Sequence, residues 1–225
     1  MGTTRALEVR EIQSLFAEVS GRHAVRNRAM LTLGIAAALR ATELVSLTVG
    51  DVHDGGQVRT YVKIRGETAK LGKPRTIRLG EGIRQVMAHF IEWKRAQCES
   101  LKPDAPLFRS QKGGPLTRIA LLQTVTRILN AARINESPHS LRKTGATIYY
   151  IASSYDIIAT QHFLGHADPA TTRKYIGLTT EQLVNYSEQA SEKLLEAIAD
   201  GASDGKFSSS VTVSYLSFQR PTFSL

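Results

Sequence analysis

Apolar residues recur along most of this chain at the three- and four-residue spacing of amphipathic helices. The clearest case is residues 81–97, where one face carries Ile83, Val86, Met87, Phe90 and Ile91. The same spacing predicts helices over residues 8–19, 24–39, 40–47, 116–132, 139–152, 156–163, 170–175 and 180–199. We therefore expect a mainly helical protein.

Two short segments alternate instead with the two-residue period of a strand. In residues 58–65, Val62 and Ile64 share one side, opposite basic residues such as Lys63, and residues 74–79 repeat the alternation. A turn containing glycine and lysine, residues 66–73, joins the two segments. The sequence thus predicts a hairpin with a basic exposed face, and an α+β fold that is mainly α with a small antiparallel sheet.

The charge is positive and unevenly distributed. The 225 residues carry 29 Lys and Arg against 20 Asp and Glu, a formal charge of +9. Residues 22–78 hold 11 of the basic residues and four acidic ones, whereas residues 181–204 hold six acidic residues and one lysine. The first region suits a polyanion such as nucleic acid, although ribosomal and membrane-surface proteins share this composition.

Several classes of protein are excluded or disfavoured. Cys98 is the single cysteine, so an internal disulfide framework and a cysteine-based zinc site are excluded. The longest apolar run, residues 29–39, is too short to cross a bilayer, and the N-terminus has no signal-peptide pattern, so we expect a cytoplasmic protein. His162 and His166 have zinc-like spacing, but Phe163 stands where a metalloprotease has glutamate, and we expect no metal.

Four segments carry groups suited to phosphate chemistry, and each also has an ordinary structural explanation. Arg40 ends the apolar helix, where Glu43 could hold its guanidinium, or the two could be a plain helix pair. Lys70 and Lys73 lie in the hairpin turn, which could equally be solvated.

The other two segments lie further along the chain. His139 and Arg142 share a helix face and combine a proton acceptor with a permanent cation, unless they are an ordinary surface pair. His166 follows Gly165, which ends one helix, and Tyr175 lies at the end of the next, where a packing aromatic is the alternative.

Taken in order, these segments resemble the tyrosine recombinase (phage integrase) family. The family's first arginine box matches residues 39–44, and its hairpin lysine matches Lys70. Its His-x-Leu-Arg-[His/Lys]-Thr box matches residues 139–144. Its Leu-Gly-His box is followed, nine residues after the histidine, by Tyr175. The resemblance covers residues 4–188. Gly145 departs from it, because the family more often has an aromatic residue there, and Lys73 competes with Lys70 for the lysine role.

The resemblance implies the catalytic-domain fold of that family and a metal-independent reaction without a cofactor. Tyr175 would attack a DNA phosphate and form a 3′-phosphotyrosine, Arg40 and Arg142 would bind the non-bridging oxygens, and Glu43 would support Arg40. Lys70 would protonate the leaving 5′ oxygen, His139 would act as acid–base partner of the tyrosine, and His166 would donate a hydrogen bond to the phosphate. Further DNA contacts are expected from Lys73, Arg75, Lys143, Arg173 and Lys174.

The resemblance also implies an organisation and partners. We expect a catalytic domain over residues 1–200 and a tail over 201–225, in which residues 211–218 could add a strand to a neighbour, unless the tail is disordered. The family's N-terminal DNA-clamping (core-binding) domain has no counterpart here, as in a truncated piece or in short members such as fimbrial phase-switch invertases. The partner would be double-stranded DNA, bound by a homotetramer at a synapse, with a monomer possible without DNA and no membrane association.

Three other functions remain open at this point. A non-catalytic DNA-binding relative would keep the boxes without cutting, and a helical RNA-binding protein would never become covalently attached. A type IB topoisomerase would use the same chemistry without a specific site. The sequence leaves integration, excision, inversion and resolution undistinguished.

Overall fold

The computed structural model describes residues 4–65, 74–167 and 169–176, with the side chains at 169 and 173–175 outside the description. These residues belong to one compact unit. Its helices are α1 (Val9–Ala17), α2 (Ala24–Ala36), α3 (Ala41–Val45), α4 (Val49–Val52), α5 (Glu81–Ala96), α6 (Arg118–Ala131), α7 (His139–Ala152), α8 (Ile157–Leu164) and α9 (Pro169–Ile176). Its strands are β1 (His53–Asp54), β2 (Gln57–Val58), β3 (Tyr61–Ile64) and β4 (Arg75–Arg78).

Helix α2 is the central element of the core. Its apolar residues are buried around most of its circumference, and it packs against both α5 and α7. The contact with α7 is a close backbone approach, because a Cβ placed on Gly145 would lie 2.0 Å from the Ile35 carbonyl oxygen. A glycine at this crossing therefore allows the close approach of α2 to α7, the helix that carries Arg142.

The predicted hairpin is confirmed as an antiparallel pair of β3 and β4, with Tyr61 opposite Arg78 and Ile64 opposite Arg75. Val62 and Ile64 are buried, as the alternation predicts. The hairpin turn, the expected helix over residues 180–199 and the tail lie outside the described residues. None of the helices in the described ranges is long and apolar enough to cross a bilayer.

The structure corrects the sequence analysis around residues 37–40. Helix α2 ends at Ala36 instead of continuing to Leu39, and Ala38 adopts a left-handed conformation with φ 44°. Arg40 consequently does not end the apolar helix. It precedes α3 with an extended backbone, φ −69° and ψ 150°, and so leaves its side chain at the junction of two helices.

A second, smaller hairpin was missed. Strands β1 and β2 pair antiparallel around Gly55 and Gly56, which have φ 54° and 84°. Glycine adopts such angles without steric cost, so two consecutive glycines allow a two-residue turn. The strands have only two residues each, too few for a visible alternation.

Candidate active site

A single buried carboxylate lies at the centre of the site. Glu43, in the first turn of α3, has a side chain that is 1% exposed. Its Oε2 accepts a hydrogen bond from the Arg40 backbone N–H at 2.8 Å, and its Oε1 accepts one from Arg40 Nη1 at 2.9 Å. The predicted support of Arg40 by Glu43 is therefore present. The Arg40 side chain remains 28% exposed and so can reach a ligand.

Arg75, on β4, is the second arginine of the site. Its Nη1 and Nη2 donate to the two carboxylate oxygens of Glu43 at 2.8 and 2.9 Å, a bidentate pair. Arg75 was expected to contact DNA, but its side chain is only 6% exposed and pairs with Glu43. The alternation itself carried the signal, because Arg75 has the same parity as the buried Ile77.

Arg142, on α7, completes the cluster. Its side chain is 3% exposed, and its Nη1 lies 3.7 Å from Glu43 Oε2. Nη1 also donates to the Ala38 carbonyl, and Nη2 donates to the Leu164 carbonyl at 2.9 Å. The left-handed turn at Ala38 and the end of α8 thus provide the backbone acceptors that hold this guanidinium.

These three guanidinium groups surround one carboxylate and leave two positive charges in excess. Burial opposes ionisation of Glu43, but hydrogen bonds and charge from Arg75, the Arg40 backbone N–H and the charge of Arg142 lower its pKa to about 2. Glu43 is therefore ionised at neutral pH. The cluster is fixed in place and still has the net charge to bind an anion such as a phosphate.

His166 lies beside this cluster. Helix α8 ends at Gly165 in the left-handed conformation, φ 64°, and the buried His166 follows directly. Its Nε2 is 3.1 Å from Arg142 Nη2, and its Nδ1 is 3.0 Å from Thr172 Oγ1. Since a guanidinium only donates, Nε2 accepts here, and the ring proton belongs on Nδ1.

Burial and the charge of Arg142 lower the pKa of His166 to about 4, so the ring is neutral at pH 7. The expected donation from His166 to a phosphate stays a prediction. To donate, Nε2 would have to give up the hydrogen bond that it accepts from Arg142 and carry a proton itself. Thr172, which holds the other ring nitrogen, lies within the segment from His166 to Tyr175 but was assigned no role, because its contact with His166 depends on how α9 packs against α8.

His139 is the first residue of α7 and is exposed at the edge of the cluster. Partial desolvation and the charges of Arg142, Lys143 and Arg40 lower its pKa. A neutral imidazole at pH 7 suits a proton acceptor. Lys143, expected to contact DNA, donates instead to the Thr4 carbonyl at 2.7 Å and so ties the N-terminal segment to α7.

The structure describes only the backbone of some of the remaining predicted residues and does not describe the others. Lys70 and Lys73 lie outside the described residues, whereas Arg173, Lys174 and Tyr175 belong to α9, with side chains outside the description. Helix α9 packs against α7 and α8. Thr172, three residues before Tyr175, therefore anchors the backbone of this helix beside His166.

The chain is similar to known proteins over most of its length. The sequence model of the Phage integrase family matches residues 5–182. The chain is 28% identical over 183 residues to the tyrosine recombinase XerD of Halalkalibacterium halodurans, and 34% identical over 167 residues to the tyrosine recombinase XerC of Methylobacterium sp. (strain 4-46). These alignments cover 80% and 73% of this chain, but 59% and 49% of the relatives.

Solved structures share the fold. The crystal structure of XerA recombinase superposes with a TM-score of 0.68 at 23% identity, covering 84% of this chain and 66% of that one. The XerH site-specific recombinase bound to its difH substrate gives a TM-score of 0.62 at 25% identity, covering 81% and 53%. With the family match spanning most of the sequence, the chain belongs to the Phage integrase family, that of the tyrosine recombinases.

Proposed function

We propose that this protein is a site-specific DNA recombinase that cleaves and rejoins strands through a 3′-phosphotyrosine at Tyr175. The observation that carries the proposal is the convergence of Arg40, Arg142 and His166, from separate parts of the chain, around one centre with excess positive charge. The helix that holds His166 in place through Thr172 is also the helix that carries Tyr175.

The reaction would proceed in two balanced steps. The Tyr175 hydroxyl oxygen attacks the phosphorus and gives its proton to His139, while the bond to the 5′ oxygen breaks and Lys70 protonates that oxygen. In the second step, the 5′ hydroxyl of another strand attacks the phosphorus of the phosphotyrosine. The bond to the tyrosine oxygen breaks, and the two proton transfers of the first step run in reverse. Each step exchanges one phosphate ester bond for another, so no external energy source is required.

Arg40 and Arg142 would stabilise the charge that builds on the non-bridging oxygens. Arg40 is accessible to a ligand, and Arg142 is buried and fixed by backbone carbonyls. Positions fixed before the substrate arrives avoid reorganisation during the reaction, which is the physical basis of this kind of catalysis.

Double-stranded DNA is the proposed partner. The XerH structure was solved with its difH substrate, and other relatives of this fold, a transposon integrase and λ integrase, were solved bound to DNA. A recombination reaction joins strands from two duplexes, so we propose a homotetramer on the DNA synapse. The same chemistry on a single duplex, as in a type IB topoisomerase, would relax supercoils without a second partner.

A nicked suicide duplex tests the proposal, because loss of the short 5′ fragment prevents rejoining and traps the covalent intermediate. The wild-type protein should form a DNA adduct that survives a denaturing gel, and Tyr175→Phe should form none. Tyr155→Phe, which alters a partly exposed tyrosine outside the cavity that Arg75 and His166 line and keeps its ring beside Tyr150, is the matched control and should behave as wild type. An adduct that persists in Tyr175→Phe would overturn the assignment.

A further inference from the structure

A second basic cleft lies away from the site described above. It has a volume of about 630 Å³ and is formed by the segment after α1, the N-terminal half of α2 and one face of α6. The basic residues that line it are Arg22, Arg26 and Arg127 together with His23, and the carboxylate that lines it is that of Glu18. The three arginines therefore exceed the one carboxylate by two charges.

Arg26 is the decisive residue, because it is 6% exposed and has no carboxylate partner within 4 Å in the described part of the chain. Its Nε and Nη2 donate to Asn27 Oδ1 at 3.2 and 3.0 Å, and its Nη1 donates to the Arg109 carbonyl at 3.0 Å. All of these acceptors are neutral. Burial lowers the pKa of Arg26 and outweighs the more distant charge of Glu99, which raises it, as expected for a buried cation without an adjacent counter-ion.

The other buried cations of the described residues differ in this respect. Arg75 pairs with Glu43 at 2.8 Å, Lys94 pairs with Glu99 at 2.6 Å, and Arg142 lies 3.7 Å from Glu43. Burying a charge is costly unless an opposite charge compensates it. Arg75, Lys94 and Arg142 thus have a carboxylate nearby inside the protein, whereas Arg26 has none within 4 Å in the described residues. Because Arg26 lines an open cleft, an anion bound there would compensate its charge.

His23 adds a second unsatisfied group at the same place. Its Nε2 is 3.1 Å from Gln111 Nε2, whereas its Nδ1 is buried without a hydrogen-bond partner in the described residues. Burial and the charges of Arg26 and Arg22 lower its pKa. The exposed Arg22 and Arg127 approach from different walls of the cleft, so an anion inside would meet donors from α2, α6 and the loop before α2.

We propose that this cleft binds a phosphate group, and that the phosphate belongs to the backbone of the bound DNA. This inference rests on the proposed function. The cleft lies at the N-terminal half of α2, whereas Arg40 follows four residues after this helix ends at Ala36. The 13 residues of α2 span about 20 Å at 1.5 Å each. With the bound duplex running along α2, a rise of about 3.4 Å per base pair would put the second phosphate roughly six steps from the scissile one.

The double variant Arg22→Gln/Arg127→Gln tests the cleft, because both side chains are exposed and outside the core. The control, Arg10→Gln/Arg95→Gln, removes the same charge at exposed positions that do not line the cleft. Affinity for a 30-base-pair duplex is measured against salt concentration. The cleft variant should lose about 0.9 from the log–log slope for each phosphate contact given up, more than the control loses.

Position is tested with neutral methylphosphonate linkages placed one at a time along the duplex. A linkage five to seven steps from the cleavage position should weaken binding by the wild-type protein and leave the cleft variant unaffected. Equal slopes for both double variants, with no position effect in that window, would overturn the proposal. If inorganic phosphate raises the melting temperature of the wild type and not of the cleft variant, while methylphosphonates have no effect, the DNA source is overturned.

Failure of this inference is distinguishable from failure of the proposed function. A wild-type protein that forms the Tyr175 adduct but shows no cleft effect retains the function and loses the second site. A protein that forms no adduct loses the function, and the inorganic phosphate measurement still decides whether the cleft binds an anion.

Discussion

His166 is held in place through both of its ring nitrogens, and these contacts decide which nitrogen carries the proton. Arg142 occupies Nε2 as a donor, and Thr172 Oγ1 lies at hydrogen-bond distance from Nδ1. Of the two contacts, only the one to Thr172 involves the helix that carries Tyr175. A single hydroxyl group thus links the orientation of an imidazole in the anion site to the position of the helix bearing the proposed nucleophile.

We predict that Thr172→Val slows formation of the phosphotyrosine adduct without abolishing duplex binding. The change is nearly isosteric but leaves the buried Nδ1–H unsatisfied, which costs about 1–3 kcal/mol and corresponds to roughly a ten- to hundredfold loss of rate. Single-turnover cleavage measured from pH 5 to 9 provides the readout, with Thr172→Ser as the control that retains the hydroxyl group. Equal rates and equal pH profiles for the Val and Ser variants would show that the hydroxyl has no positioning role.

Individual residues were predicted from sequence with uneven success, for a physical reason. Glu43 lies three residues after Arg40, in the first turn of the short helix that Arg40 precedes, so local spacing was sufficient to find the pair. The Arg75–Glu43 and His166–Thr172 contacts depend on how strands and helices pack, which no local spacing encodes. The placement of the Tyr175 and Lys70 side chains stays a prediction.

Among the elements, the crossing of α2 and α7 matters most for the site. Arg142 lies on α7, and it donates to Ala38, which follows α2. Gly145 is one turn after Arg142, and a Cβ there would lie 2.0 Å from the Ile35 carbonyl oxygen and 3.1 Å from Ala38 Cβ. The Ile35 carbonyl oxygen belongs to the backbone and cannot move aside by a side-chain rotation, so the two helices would have to separate.

We predict that Gly145→Ala destabilises the protein by about 1–3 kcal/mol or more, the usual range for overpacking a core. Gly82→Ala on α5 is the matched control, because a Cβ there has no neighbour within 4 Å and alanine favours a helix. The free energy of unfolding from urea titration should therefore fall for the first variant and stay equal or rise for the second. A Gly145→Ala protein as stable as wild type would contradict the close approach of α2 and α7.

The regular elements were predicted well from the apolar pattern, whereas the residues at which they end were not. Helix α5 and the β3–β4 hairpin agree with the apolar pattern because one face of each is buried. The end of α2 at Ala36 was missed because the apolar run continues through Leu39, and nothing in that run marks the left-handed turn at Ala38, whose carbonyl accepts a hydrogen bond from the distant Arg142. The alternation over residues 74–79 predicted the strand, and the same alternation places Arg75 on the buried side with Ile77.

At the scale of the whole molecule, the buried cluster around Glu43 makes stability depend on pH. The pKa of Glu43 is about 2 in the folded protein, below its ordinary 4.5. A lowered pKa stabilises the folded state above the unfolded value, and that stabilisation is lost as pH falls from about 4.5 through 2. The difference corresponds to on the order of 3 kcal/mol.

His166 adds to this loss at somewhat higher pH. Its folded pKa of about 4 lies below the ordinary 6.5, so between these values the unfolded chain takes up a proton that the folded protein does not. We predict that unfolding free energy declines from pH 6.5 downward and more steeply below 4.5. Urea titrations of wild type and Glu43→Gln at several pH values check this: the variant should show the weaker pH dependence below 4.5, and identical slopes there would contradict the role of Glu43.

Two of the acceptors that hold Arg142 are main-chain oxygens, those of Ala38 and Leu164, where α2 and α8 give way to turns. Every amino acid supplies such an oxygen, so exchanging the side chains at these two places removes neither acceptor. Position 142 itself has no such tolerance, since a lysine ammonium is a single point and cannot span two carbonyls and an imidazole with the geometry of a planar fork. In these two hydrogen bonds chemical identity is thus demanded of the donor alone, while positions 38 and 164 need only keep the backbone conformation that presents each oxygen.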